Sequence, residues 1–320
     1  MDALEHVLRA PPPTGAVVDM ASWLAVLSAC PFERSIDRAL WAGFEADRLG
    51  YAFVGGYQAA LARLFTVASK TLGDPVYAWP SRDTRLCLAA TESGGAHPRA
   101  IETSLFYEDP ALRLRGEKTF ATLASAADEL LVVASRGPGA DGKNRLALVR
   151  VRSKSAGVVI EDRRATPFAP EVPHAKVSLL DVVVHDEDVL PGDGYAVYLK
   201  PFRTIEDAHV LAAALGHVLR TARAHDFDPA VKEGVVALIV ALMEIAERDP
   251  GDPVVHVALS GLFREARRLI ADGDREWEKS DADTRDRWRR DLGLLVVAET
   301  ARQQRTEAAW KTLAARGDPR

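Results

Sequence analysis

Cysteine is scarce in this sequence, and its scarcity excludes a fold held together by disulfides. Cys30 and Cys87 are the only two cysteines; they form no CxxC pair, and one bridge would not staple 320 residues. A membrane-spanning helix needs a run of ~18–20 apolar residues, and the longest run here, near residues 235–243, is about half that length. The chain opens with the acidic segment Met1–Glu5 rather than the basic and then apolar layout of a signal peptide. We therefore expect a cytoplasmic protein.

A strong positive charge is also lacking. The formal net charge of −5 argues against a general nucleic-acid binder. One late stripe of arginines is interleaved with aspartates, which favours a solvated helix face over a binding patch; its arginines are Arg285, Arg287, Arg289 and Arg290. The acidic stretch His185–Asp188 has no further residues at metal-ligand spacing, so we expect a solvated turn there and no metal site.

The first part of the chain is predicted to be helical. Between about residues 34 and 70, apolar residues recur at helical spacing, and the pair Gly55-Gly56 marks either a tight helix contact or a break. Three consecutive prolines, Pro11–Pro13, make residues 1–18 a poor candidate for core structure. A loop rich in Gly, Pro and Asp between Leu72 and Arg85 reads as a domain boundary, so we assign residues 1–80 to an N-terminal helical domain.

The middle of the chain changes to strand periodicity. Short runs of β-forming residues separated by turn residues predict a small antiparallel β-barrel or sandwich over residues 81–198. The predicted strands are Leu86–Thr91, Leu112–Leu114, Leu130–Ser135, Leu146–Val151, Val158–Ile160 and Val177–Val184. Asp141–Asn144 is predicted to form a hairpin turn between two of them.

The last part, residues 199–320, is predicted to be a C-terminal four-helix bundle. Asp228-Pro229 and Asp252-Pro253 each place a capping acid before a proline suited to the first helical position. We expect helices near residues 205–223, 229–248, 253–278 and 284–314. The fold class is therefore α+β, in the order helices, β-domain and helical bundle.

Four segments in this order carry a family resemblance. Leu88–His97 reads LAATESGGAH, a strand that runs into Thr-Glu and a glycine-rich turn, and Leu114–Thr122 reads LRGEKTFAT. Ala127-Asp128 precedes the next predicted strand, and Val182–Gly192 ends the middle domain. This ordered set resembles the acyl-CoA dehydrogenase family over roughly residues 85–220.

The resemblance implies an FAD site in the middle domain. Ala90 and Thr91 would supply donors to the isoalloxazine ring, and Phe120 and Thr122 would pack on the ring and bond near its N5. The glycine-rich turn, with Gly95 and Ala96, would let the backbone approach the pyrophosphate closely. Read without the resemblance, Thr91 and Thr122 are ordinary strand residues, Phe120 is a core residue and the glycines simply make a turn.

The sequence departs from the family pattern in several places. Ala96-His97 stands where the family usually has Ser-Asp, so the serine contact to the pyrophosphate is lost, although His97 could replace part of it. The family carries an Arg-x-x-Phe-Gly segment whose arginine reaches the cofactor of a neighbouring subunit, and Arg223–Phe227, which lies in that region, is no good match to it. The family's late catalytic glutamate has no counterpart, because Glu307 lies in a predicted exposed helix.

Glu206 is the candidate catalytic base. Some relatives carry this glutamate ten residues before a helical glycine, and that spacing from Gly216 leads to Glu206. The alternative is structural: Thr204 and Asp207 resemble a capping box, and an acid in the first helical turn is favoured by the helix dipole in any case.

The resemblance implies an FAD-dependent oxidoreductase that introduces an α,β double bond into an acyl thioester. The implied partners are an acyl-CoA or acyl-carrier thioester, an electron-transfer partner and a second copy of the chain in a homodimer or homotetramer. Two alternatives stay open: a flavin-dependent monooxygenase of the same fold, and a cofactor-free pseudoenzyme that acts as an assembly partner.

Overall fold

The computed structural model describes residues 2–76, 84–108 and 110–316. The chain divides into a helical unit, made of Met1–Arg63, Pro167–Ala169 and Arg203–Arg320, and a β unit, made of Leu64–Thr166 and Pro170–Phe202. Most of the predicted boundary loop falls on residues 77–83, outside the described residues. The division of the chain at residues 80 and 198 stays a prediction.

Helices at both ends of the chain build the helical unit, and α4 and α5 each extend into the β unit. The N-terminal helices are α1 (Ala3–Arg9), α2 (Met20–Ser28), α3 (Ser35–Glu45) and α4 (Leu49–Leu72). The C-terminal helices are α5 (Lys200–Ala224), α6 (Pro229–Ala246), α7 (Pro253–Asp272), α8 (Ala282–Asp291) and α9 (Glu299–Arg316). In the described part of the chain, no helix is both long enough and apolar enough to cross a membrane.

Aspartate caps start several of these helices. The Asp228 side chain accepts a hydrogen bond from the Ala230 N–H at 2.8 Å, and Asp252 accepts from Val254 at 2.9 Å. Each cap precedes a proline at the start of its helix, which confirms the predicted starts of α6 and α7.

Two helical predictions are wrong. The segment 1–18, predicted to lack core structure, contains α1, in which Ala3 and Val7 are fully buried. Asp2 caps this helix, and Arg223 donates hydrogen bonds to the carbonyls of Val7 and Ala10, so the prolines that follow α1 end it without preventing it.

The predicted helix 284–314 is two helices, α8 and α9, separated by a 3₁₀ turn over Leu292–Leu295. Gly293 lies against the Phe168 ring, where an added Cβ would come within 3.1 Å of a ring carbon. The Phe168 ring can come this close because Gly293 has no side chain, and the contact lies at the break between α8 and α9.

Closely packed glycines join the N-terminal helices to α5. A Cβ added at Gly43 in α3 would overlap the carbonyl of Ala213 in α5, and one added at Gly216 would overlap the Leu40 carbonyl. In α4, a Cβ at Gly56 would lie 2.8 Å from the His209 carbonyl oxygen. The glycine pair in α4 therefore marks a tight helix contact, the first of the two alternatives that the sequence left open.

The β unit contains one sheet, with seven strands among the described residues. They are β1 (Leu86–Ala89), β2 (Ser104–Glu108), β3 (Ala111–Thr122), β4 (Glu129–Pro138), β5 (Asn144–Arg152), β6 (Val158–Asp162) and β7 (His174–Val184). The order is β1-β4-β2-β3-β7-β6, and β5 pairs with β4. Asp141–Lys143 lies in the turn between β4 and β5, and Asn144 begins β5, so the predicted hairpin turn is confirmed. Buried side chains such as Leu114, Val132 and Val177 form its core.

The sheet differs from the predicted strand pattern in three respects. β1 and β2 each pair with β4 in parallel, so the sheet is mixed rather than wholly antiparallel. β2 was missed, and β3 is much longer than the predicted Leu112–Leu114. Charged residues on the outer face of β3, among them Arg115 and Glu117, interrupt its apolar pattern, while the alternate Leu114 and Lys118 point inward and are buried.

We predict that Gly43→Ala lowers the free energy of unfolding by about 1–3 kcal/mol, because its Cβ would force α3 away from α5. Gly261→Ala in α7 is the matched control: nothing lies within 4 Å of its added Cβ. The control should leave stability unchanged or raise it by up to about 1 kcal/mol through helix propensity. Denaturant unfolding followed by circular dichroism measures both, and equal effects would contradict the close packing.

Candidate functional site

The two motif segments of the β unit lie side by side. Thr91 and Phe120 form an antiparallel bridge, and the Thr119 N–H donates to the Thr91 carbonyl at 2.9 Å. Ala90, which ends the extended segment before Thr91, is buried. The structure therefore brings together four of the residues to which the resemblance gave a role toward the flavin ring: Ala90, Thr91, Phe120 and Thr122.

A buried ion pair fastens the Thr91 segment to β3. The Lys118 Nζ lies 2.6 Å from Glu92 Oε1 and also donates to the Val133 carbonyl of β4 at 2.6 Å. The Lys118 side chain is 0% exposed and that of Glu92 is 6% exposed. The Glu92 carboxylate accepts two more hydrogen bonds, from the backbone N–H groups of Glu102 at 2.7 Å and Thr103 at 3.1 Å. One lysine and one glutamate thus connect β3 and β4 with the Thr91 segment and with the segment that leads into β2.

This pair is ionised at neutral pH. Burial alone would raise the pKa of Glu92, but the hydrogen bond and charge of Lys118, together with the hydrogen bonds from Glu102 and Thr103, outweigh burial and lower it. Burial lowers the pKa of Lys118 to about 8, and Glu92 opposes that shift. Two hydrogen-bonded opposite charges therefore occupy the interior of the sheet, which is the arrangement that a buried charge requires.

The glycine-rich turn is a tight loop with open space around it. Glu92 and Gly95 exchange backbone hydrogen bonds of 3.1 and 2.9 Å, and Gly95 has φ +95°, a conformation that favours glycine. Nothing lies within 4 Å of a Cβ added at Gly95. Ala96 follows half-buried, and the exposed His97 side chain accepts a hydrogen bond from the Arg99 N–H at 3.2 Å. His97 thus begins the short turn Pro98–Ala100.

Phe120 lies on the surface of the β unit rather than in its core. It is 40% exposed, so the interpretation of Phe120 as a core residue is wrong. Its ring centroid is 4.5 Å from that of His174, and the Arg163 guanidinium carbon is 5.4 Å from the Phe120 centroid. Arg163 also donates to the Thr119 carbonyl at 2.6 Å. An exposed aromatic ring with a cation beside it can receive another flat ring.

Thr122 is bonded within the same cluster. Its Oγ1 lies 3.2 Å from His174 Nδ1 across the β3–β7 pairing. Burial lowers the pKa of His174, and the charge of Arg163 lowers it further, so the imidazole is neutral at pH 7. The Thr122 hydroxyl thus shares a hydrogen bond with a neutral histidine on the neighbouring strand.

Glu206 belongs to the helical unit. It lies beyond the first turn of α5, because that helix begins at Lys200 and follows a π-helical segment capped by Asp193. Thr204 is buried inside the helix, so the predicted capping box is wrong. Burial raises the pKa of Glu206 to about 7; Asp207 adds to the shift, while Arg203 and Arg305 oppose it.

The Asp207 side chain is bound by two arginines of α9. Its carboxylate receives a hydrogen bond of 2.8 Å from Arg302 and a second one from Arg305. Glu307, also in α9, is exposed as expected. Arg223, from the segment that did not match the family pattern, donates hydrogen bonds to the carbonyls of Val7 and Ala10 within its own chain.

Sequence reasoning missed three residues of this site. Lys118 and Glu92 lie in the motif segments but had no predicted role, although a lysine and an acid inside strand segments are a signal for a buried pair. His174 had no local signal at all, because only the register between β3 and β7 brings it to Thr122. Among the described residues, no group of three His, Cys, Asp or Glu side chains is placed to hold a metal ion.

Comparison with solved structures shows the fold. An FAD-dependent dehydrogenase matches with a TM-score of 0.71 at 16% identity, over 98% of this chain and 96% of that chain. Butyryl-CoA dehydrogenase from Megasphaera elsdenii matches with a TM-score of 0.69 at 16% identity, over 96% of both chains. PigA with FAD and proline matches with a TM-score of 0.68 at 13% identity, over 99% of this chain and 94% of that chain.

The chain therefore has the acyl-CoA dehydrogenase fold, and the predicted α+β class is confirmed. No protein-family model matches the sequence, and no curated protein sequence matches it significantly. At these identities the likeness concerns the fold alone.

We predict that Lys118→Met lowers the free energy of unfolding by about 3–5 kcal/mol, because it leaves the Glu92 carboxylate buried without its partner. Lys176→Met is the control, since Lys176 pairs with Glu117 at 2.7 Å on the solvated face and should cost less than about 1 kcal/mol. Urea unfolding measures both. A loss no larger than that of the control would show that Glu92 does not depend on Lys118.

Proposed function

We propose that this chain is an FAD-dependent oxidoreductase of the acyl-CoA dehydrogenase type, which forms an α,β double bond in an acyl thioester. The observation that carries the proposal is the bridge between Thr91 and Phe120. It joins the two motif segments on one side of the sheet and leaves the Phe120 ring accessible. Two of the structures of the same fold are named for FAD, and another is a butyryl-CoA dehydrogenase, which supports the choice of cofactor and substrate class.

The residues present fit a flavin. Phe120 offers an exposed ring face, Thr122 a hydroxyl, and Ala90 and Thr91 backbone groups beside them. The open space at Gly95 would let the backbone of residues 95–96 approach a pyrophosphate. Because Ala96 has no hydroxyl, the hold on the pyrophosphate depends on backbone groups there. When bound, FAD would supply the acceptor for the hydride that leaves the substrate.

We predict that the protein binds FAD saturably and that Phe120→Ala weakens binding about 3- to 10-fold, because an aromatic contact of about 0.5–1.5 kcal/mol is lost. Tyr107→Ala is the matched control, since Tyr107 is an exposed aromatic residue on β2 and hydrogen-bonds Asp186. Titration of flavin fluorescence measures all three proteins.

The control should bind FAD as the wild type does. No saturable change with wild-type protein at tens of micromolar would refute the cofactor assignment. It would favour the cofactor-free assembly partner instead.

We further propose that Glu206 is the base that removes the substrate's α-proton. That proton is weakly acidic, so the base must have a raised pKa and still be deprotonated in part at neutral pH. Burial raises the pKa of Glu206 to about 7, which meets both conditions. The opposing charges of Arg203 and Arg305 keep it from rising further. Because Asp207 is bound by two arginines, Glu206 is the better candidate of the two neighbouring acids.

We predict that Glu206→Gln slows anaerobic reduction of bound flavin by an acyl-CoA by on the order of 10²- to 10⁴-fold, because the proton acceptor is lost while the shape is kept. Glu307→Gln, at an exposed position of α9, is the control and should react as the wild type does. Stopped-flow absorbance measures the rates. Unchanged reduction in Glu206→Gln would reject Glu206 as the base, and a bound flavin that acyl-CoA never bleaches would favour the monooxygenase.

The same substitution has a signature that needs no activity. Between the ordinary pKa of 4.5 and the folded-state pKa of about 7, the folded protein holds a proton that the unfolded chain has released. The free energy of unfolding therefore falls as pH rises through this window, and the loss is complete above it. Glu206→Gln removes the loss, so above pH ~7 it should be more stable than wild type by about 1–3 kcal/mol, with no gain near pH ~4.

The proposed reaction requires one partner, and self-association is a separate prediction. A reduced flavin must be reoxidised, which requires an electron-transfer partner for a dehydrogenase. Association into a homodimer or homotetramer stays a prediction. The apolar side chains of α6 are partly used within the chain, because Val235 and Leu242 are fully buried there.

A further inference from the structure

His174 contacts the side chains of both Phe120 and Thr122 in β3. As the first residue of β7, it places its ring 4.5 Å from the Phe120 ring, and its Nδ1 lies 3.2 Å from Thr122 Oγ1. Register fixes this position, because Thr122 is the direct partner of His174 in the antiparallel pairing. The ring is held further by packing, since it is half-buried beside the Arg163 and Phe120 contact.

The hydrogen bond between the Thr122 hydroxyl and the neutral His174 ring can run in either direction. Thr122 carries one proton and two lone pairs. If His174 Nδ1 is bare, the Thr122 hydroxyl donates to it and presents only lone pairs elsewhere. If Nδ1 carries the proton, it donates to Oγ1, and the Thr122 proton is free to point at a ligand. The exchange moves one proton from Nε2 to water and one from water to Nδ1, with no change in net charge.

The surroundings of His174 keep its imidazole neutral, and a neutral imidazole has the two tautomers that give the two directions of the hydrogen bond. A charged imidazole would have protons on both nitrogens and could only donate to Thr122. Burial and the neighbouring Arg163 charge both disfavour that form, so the neutral ring with its two tautomers prevails at pH 7. Arg163 is the charged group that acts on His174 in this cluster, and it is held by the Thr119 carbonyl.

We propose that His174 is a positioning residue that determines whether the Thr122 hydroxyl donates to, or accepts from, the bound flavin. This inference rests on the proposed function. An oxidised flavin presents a ring nitrogen that accepts a hydrogen bond, whereas the reduced ring presents an N–H that donates one. The Thr122 hydroxyl bonded to His174 meets one of these states with each tautomer of the imidazole, so the difference in free energy between the two tautomers sets the relative affinity for oxidised and reduced flavin.

A double-mutant cycle tests this inference. His174→Phe keeps an aromatic ring against Phe120 but removes Nδ1, and Thr122→Val removes the hydroxyl with little change in shape. Dissociation constants for oxidised FAD, combined with the reduction potential of the bound cofactor, give the ratio of affinities for oxidised and reduced FAD. We expect His174→Phe to change this ratio by about 3- to 10-fold, the value of one net hydrogen bond. In the Thr122→Val background it should cause no further change.

His185→Phe is the matched control, because His185 is an exposed histidine just beyond the other end of β7. It should leave the ratio unchanged. A second readout does not require flavin or a stable His174 variant: nitrogen NMR of the FAD-free protein should show that Thr122→Val shifts the His174 Nδ1 resonance and leaves that of His185 in place. An unshifted resonance would overturn the shared hydrogen bond and the inference with it.

The outcomes separate this inference from the function on which it rests. If wild-type protein binds FAD and His174→Phe leaves the ratio unchanged, the role of His174 is refuted and the proposed function stands. If the change persists fully in the Thr122→Val background, His174 acts through ring packing and not through the hydroxyl, which also refutes it. If wild-type protein binds no FAD, both the proposed function and the role of His174 fail.

Discussion

The buried ion pair of Lys118 and Glu92 is the interaction on which the candidate site depends. Glu92 directly follows Thr91, and Lys118 lies two residues before Phe120, so a bond between the two charges fixes the positions of both flanking residues. The remaining hydrogen bonds of the pair go to backbone groups of Glu102, Thr103 and Val133. Because the side chains of Lys118 and Glu92 are buried, displacing one strand would leave a charge or a polar group unsatisfied.

The two charges of this pair are buried, whereas the Phe120 ring of the candidate site is exposed. On the interior side, the lysine and the glutamate are inaccessible to water and stabilise the strands. On the surface, Phe120 keeps an accessible ring, and Thr122 and His174 share one hydrogen bond. A buried, hydrogen-bonded interior therefore supports a surface at which the direction of a hydroxyl can change. Preorganisation of this kind is what a cofactor site requires, since the binding free energy is not spent on ordering the protein.

Local sequence patterns were sufficient for much of the fold. The aspartate-proline pairs predicted the starts of α6 and α7, and a tight helix contact was one of the two alternatives that the glycine pair in α4 left open. These features depend on neighbouring residues or on a recognisable motif. The helix α1 was missed because its partner Arg223 is distant in the sequence. The strand β2 was missed because Leu105 is its one buried residue, so it has no alternating apolar pattern. His174 was missed because strand register alone brings it to Thr122. Helix capping was misread at Thr204 because a π-helical segment moves the start of α5 upstream.

The most direct test of the central claim is the visible absorption spectrum of the purified protein, recorded after incubation with FAD and removal of the free cofactor. If the Lys118–Glu92 pair holds Thr91 and Phe120 in a flavin-binding arrangement, the wild-type protein should retain a perturbed flavin spectrum. A folded Lys118→Met variant should lose that spectrum, whereas Lys176→Met should keep it. A wild-type protein that is folded and colourless after this treatment would contradict the claim.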